Sequence, residues 1–142
     1  MFRTILVPVD IDDIDVARPA IDKAAKLAEA SGAALRLVNV VMTILASYMD
    51  FIPETYDEEA RARSEAKLKE IAAKLPIPKE RVSWASRSGG VYPEILAEAE
   101  RWGADLIVLG SHRPSMATYF LGSNAKTVAR HARCSEIGRA HV

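Results

Sequence analysis

Two short stretches carry residue types suited to holding an anion: Gly110-Ser111-His112-Arg113-Pro114, and Gly122-Ser123-Asn124 eight residues further on. Small residues at the end of a strand let a ligand approach the backbone. A helix N-terminus offers unpaired N–H groups and a positive dipole end to a phosphate. Two such elements joined by a short loop form a polyphosphate cradle, in which the Ser123 hydroxyl can donate to a phosphoryl oxygen. The pattern alone leaves a second reading open, with Gly110 as a turn residue and Ser123 or Asn124 as a helix cap.

A third stretch, Asp10-Ile11-Asp12-Asp13, resembles the paired aspartates of phosphoaspartate chemistry. That chemistry needs a lysine and further matched residues at later strand ends, and none follows the third or fourth strand. A solvated acidic turn with Asp13 as N-cap of the first helix is the better reading. His112, His131 and His141 have no metal-ligand spacing with Cys134. Trp84 and Trp102 read as packing residues. There is no Gly-x-Ser-x-Gly elbow and no Gly-x-x-x-x-Gly-Lys loop. With no placed base or nucleophile, an efficient enzyme is not expected.

These residues need a frame to bring them together. Thr4–Val9 is short, β-branched and almost wholly apolar, as a strand covered on both faces must be. From Ile14 the period changes: Ile14, Ala17, Ile21, Ala24, Ala25 and Ala28 fall on one helical stripe, closed by Ser31-Gly32. Residues 34–41 read as a second strand and 42–55 as a loop. Residues 57–75 form an amphipathic helix with Leu68, Ile71, Ala72 and Leu75 on one face, ended by Pro76 and Pro78. The spacing predicts a third, edge-like strand over 81–87, a helix over 92–102, a continuously apolar fourth strand over 105–109 and a last helix over 123–131. Alternation of this kind implies an α/β fold with a doubly wound, open parallel sheet. Ligands of such sheets sit beyond the carboxyl ends of the strands, where strand order reverses.

Composition narrows the function classes. The chain has 142 residues, enough for one domain. Nineteen Lys and Arg balance nineteen Asp and Glu, so nothing points to nucleic acid. No apolar run reaches the roughly 20 residues of a membrane helix, and no secretory segment opens the sequence. The single cysteine, Cys134, fits a reducing compartment, and the cytoplasm is the expected location.

With the strands in place, residues Val108 through Ser123 to Cys134-Ser135 resemble the nucleotide signature of the universal stress protein family: Gly-x-x-Gly, eight or nine residues, then Gly-Ser/Thr. The opening Thr4-Ile5-Leu6-Val7-Pro8-Val9-Asp10 and the run Ala104–Val108 match it too. The branch with Ser-His-Arg-Pro and Leu-Gly-Ser-Asn-Ala is the most similar, and the likeness covers about residues 2–135. It implies a regulator of the stress response that binds ATP, with or without Mg²⁺, and forms a homodimer. Turnover would be confined to slow ATP hydrolysis or autophosphorylation. By this likeness the adenine lies against Pro8, Asp10 and Val40. The phosphates lie against Gly110, Ser111, Gly122, Ser123 and Asn124. Arg113 stands where many ATP-binding members carry the second glycine; it either crowds the phosphates or holds them bidentately. The alternative is a nucleotide-free dimeric interaction module of the same fold.

Family members continue after Cys134-Ser135 with an apolar fifth strand of the type Val-Leu-Val-Val. Here the sequence is Glu136-Ile137-Gly138-Arg139-Ala140-His141-Val142, with neither alternation nor an apolar run. It back-translates to GAG ATC GGA AGA GCA CAC GTC, which matches the start of a common sequencing adapter. The expectation is a universal stress protein domain over 1–135 and a non-native tail over 136–142. The fifth strand would then be missing and the dimer contact made through it impaired.

Overall fold

The computed structural model describes residues 2–42, 56–110 and 135–138. In chain order these form β1 (Thr4–Pro8), α1 (Ile14–Ser31), β2 (Ala34–Met42), α2 (Tyr56–Ala73), a 3₁₀ turn (Lys79–Arg81), β3 (Val82–Gly89), α3 (Val91–Trp102), β4 (Leu106–Leu109) and β5 (Ser135–Gly138). All described strands are parallel, in the order β3-β2-β1-β4-β5. The alternating α/β reading thus stands, with the element boundaries shifted by one or two residues. The helix expected over 123–131 lies outside the described residues.

The apolar runs behave as strands covered on both faces must. Ile5, Val7, Leu35, Leu37, Leu106 and Val108 face α1 and α2 and pack on Ala17, Ala20, Ala24, Ala28 and Leu68. Leu6, Val38, Ile107 and Leu109 face the other way, onto Ile95 and Ala99 of α3. The alanine stripe brings the α1 backbone close to the sheet. α1 ends where the sequence indicates: Gly32 adopts φ 72° and its N–H returns to the Ala28 carbonyl. β3 is an edge strand among the described elements. Trp84 and Trp102 both pack against the core clusters.

The amino ends of β1 and β4 are tied together by side chains. The Asp105 carboxylate accepts the N–H groups of Arg3 and Thr4, at 2.8 and 3.1 Å. The Thr4 hydroxyl donates to the Gly103 carbonyl and accepts the Asp105 N–H. These bonds fix the register of the two strands whose opposite ends frame the site.

One expectation is overturned. The fifth strand is present: Ser135–Gly138 runs parallel to β4, with Leu106 opposite Ser135, Ile107 opposite Glu136, Val108 opposite Ile137 and Leu109 opposite Gly138. Ladder hydrogen bonds are made by the backbone, so a fully apolar neighbour with a free edge can recruit a segment whose side chains carry no strand pattern. The apolar alternation sought in residues 136–142 tests side chains only, and it misses such a strand.

Candidate nucleotide site

The strand order reverses between β1 and β4, which lie side by side although about a hundred residues separate them. In doubly wound sheets, ligands sit beyond the carboxyl ends of the strands at such a reversal point. Pro8 is the last residue of β1 and pairs with Val38. The next N–H, that of Val9, donates to the Val38 carbonyl at 2.8 Å. Val40 therefore stands two residues past the partner of Pro8, beyond the end of β1. Gly110 follows β4 directly. The structure brings Pro8, Asp10, Val40 and Gly110 to one rim. Ser111, Arg113, Gly122, Ser123 and Asn124 lie outside the described residues.

Asp10 is exposed and shapes the β1–α1 connection. Its Oδ1 accepts the Asp12 N–H at 3.0 Å, and its carbonyl accepts the Asp13 N–H at 3.1 Å. The residue is exposed, and a carboxylate of this kind can accept from a ribose hydroxyl or an adenine amino group. Asp13 occupies the N-cap position of α1, as its residue type suggests, but its side chain makes no capping bond. The turn is held from Asp10 instead.

Gly110 has a packing reason for its identity. A Cβ at this position would lie 3.3 Å from the Val16 carbonyl oxygen, 3.7 Å from Ala20 Cβ and 3.8 Å from Ala17 Cα. The glycine lets the end of β4 come against the first turns of α1. Its φ is not positive, so it is space and not a left-handed turn that demands glycine here.

Two polar clusters on the faces of the sheet are not among the residues singled out from the sequence. Behind β2, Asn39 Nδ2 donates to Ser64 Oγ at 2.8 Å, and Ser86 Oγ lies 2.9 Å from the same hydroxyl. On the α3 side, the fully buried Glu98 carboxylate accepts from Arg36 (2.7 Å), Arg87 (3.0 Å) and Arg101 (2.8 Å). Arg87 also donates to Glu94 at 2.7 Å, and Arg36 stacks over Trp102 at 5.0 Å. Burial pushes the Glu98 carboxyl up, and the bonds from Arg36, Arg101 and Arg87 overcome it, so that it titrates below the ordinary carboxylate value. The bond to Glu94 raises Arg87 in turn. The sequence did hold a signal. Glu98 interrupts the stripe Ile95-Ala99-Trp102 and Arg36 interrupts an apolar strand, and two buried charges of opposite sign require each other. Among the described residues no three His, Cys, Asp or Glu side chains converge as a metal site.

A sequence profile of the Universal stress protein family matches residues 1–135. Universal stress protein G of Escherichia coli O157:H7 is 33% identical over 135 residues, covering 93% of this chain and 94% of that one. The chain belongs to the universal stress protein family. Solved structures agree on the fold. Universal stress protein UspA from Lactobacillus plantarum superposes with a TM-score of 0.76 at 23% identity, over 97% of each chain. A universal stress protein in complex with cAMP gives 0.64 at 21% identity, over 98% of this chain and 97% of that one. A family protein from Arabidopsis thaliana with AMP bound gives 0.62 at 16%, over 96% and 90%.

Proposed function

We propose that this universal stress protein binds ATP across the carboxyl ends of β1, β2 and β4 and acts as a nucleotide-dependent regulator in the stress response. The observation that carries the reading is the meeting of Pro8, Asp10, Val40 and Gly110 at the point of strand reversal. Relatives of the same fold with cAMP and AMP bound support an adenine nucleotide as the ligand class. The rim fits such a group: Asp10 is an exposed carboxylate just past β1, and Val40 lies on β2 two residues past the partner of Pro8. Past Gly110, the Gly122-Ser123-Asn124 segment supplies small residues and a hydroxyl for phosphates, with Mg²⁺ as their natural counter-ion. Arg113 supplies a bidentate guanidinium to the same phosphates.

On this reading occupancy of the site, and not turnover, is the signal. Calorimetric titration should show saturable ATP binding, weakened more by Gly122→Val than by Ser123→Ala, because backbone N–H groups contact the phosphates. Arg113→Ala should weaken ATP more than adenosine. Absence of binding at millimolar ATP would favour the nucleotide-free interaction module. Steady-state hydrolysis near about 10 per second, the median of dedicated enzymes, would overturn the regulatory reading.

A further inference from the structure

A buried polar chain crosses the interface between α2 and the sheet one residue before Val40. Asn39 and Ser86 pair across β2 and β3, and both reach the Ser64 hydroxyl of α2. Ser64 is 0% and Asn39 6% exposed. Among the described residues α2 otherwise buries only Leu68 and Ala72 fully against the sheet. Aliphatic contacts tolerate small shifts of a helix along a sheet, whereas a buried hydroxyl or amide that loses its partner bears the full cost of desolvation. The hydrogen bonds therefore decide where α2 sits along β2 and β3. Asn39 points to α2 while Val40, on the opposite face, packs on the α3 side. Fixing Asn39 fixes the backbone on which Val40 stands.

We infer that Asn39, Ser64 and Ser86 form the positioning element for the base end of the nucleotide site, governing affinity for the adenosine part of the ligand and not for its phosphates. This inference rests on the nucleotide-site reading above. The test titrates the full chain, S64A, S86A and L68V with ATP and with adenosine, and records melting temperatures alongside. Leu68 lies in the same interface, and trimming it removes no hydrogen bond. S64A should weaken ATP and adenosine by the same factor, about fivefold or more, with S86A smaller in the same direction. L68V should lower the melting temperature and leave both affinities within about twofold. Serine variants that bind both ligands as the unmodified chain does would overturn the inference alone. So would a loss confined to ATP, or an equal loss in L68V. An unmodified chain that binds neither ligand would overturn the site reading itself.

Discussion

Gly110 shows how one residue can look functional for one reason and be required for another. In sequence it is the small residue at a strand end. In the structure its missing Cβ makes room for the Val16 carbonyl oxygen. Gly110→Ala should therefore cost about 1–2 kcal/mol of stability by overpacking, read as a lower urea midpoint with an unchanged slope. Loss of ATP affinity without that shift would mean that the glycine serves the ligand alone. The likeness to the universal stress protein family put Pro8, Asp10, Val40 and Gly110 at one site, and the apolar runs of β1, β2 and β4 put them at or near strand ends. The sequence could not show that Asp10, and not Asp13, holds the β1–α1 turn, since both residue types accept the same N–H bonds and only the local backbone path separates them.

At the scale of elements, α3 is held to the sheet by charge as well as by apolar contact. Glu98 joins Arg36 of β2, Arg87 of β3 and Arg101 of its own helix. Removing the carboxylate leaves three guanidinium groups facing one another. Glu98→Ala should cost roughly 2–4 kcal/mol, at the lower end because Arg101 is well exposed. The sign of the pH dependence follows from the lowered titration of Glu98. The folded state holds its carboxylate below the unfolded value, so the stabilisation is complete above about pH 5 and is lost as pH falls through the folded value. The stability gap between the unmodified chain and Glu98→Gln should therefore be level near neutrality and close on acidification. A gap that widens in acid would contradict the assignment. α3 itself was legible from the Gly89-Gly90 turn before it and from Pro93 at a tolerated first-turn position, but its ion cluster joins residues 36, 87, 98 and 101, and local sequence signals report one element at a time.

For the whole molecule, the sheet was legible wherever strands carry their own apolar signal, and not where a strand is recruited by its neighbour. β5 pairs residue for residue with β4 although Glu136 and Gly138 are poor strand formers. Replacing both with valine should raise the melting temperature by about 5 °C and sharpen any dimer seen in sedimentation, since a stiffer edge is a better template for pairing. No change in either quantity would mean that β5 contributes little to the stability of the domain.

The central claim is that an adenine nucleotide sits over the reversal point of the sheet. Backbone amide shifts in a ¹⁵N-labelled chain titrated with ATP test it most directly. The account predicts saturable shifts at Val9, Asp10, Val40, Val41 and Gly110, with the amides around Asp105 at the opposite end of the sheet unmoved. Shifts confined to β3 and α3, or no shifts at millimolar ATP, would contradict it.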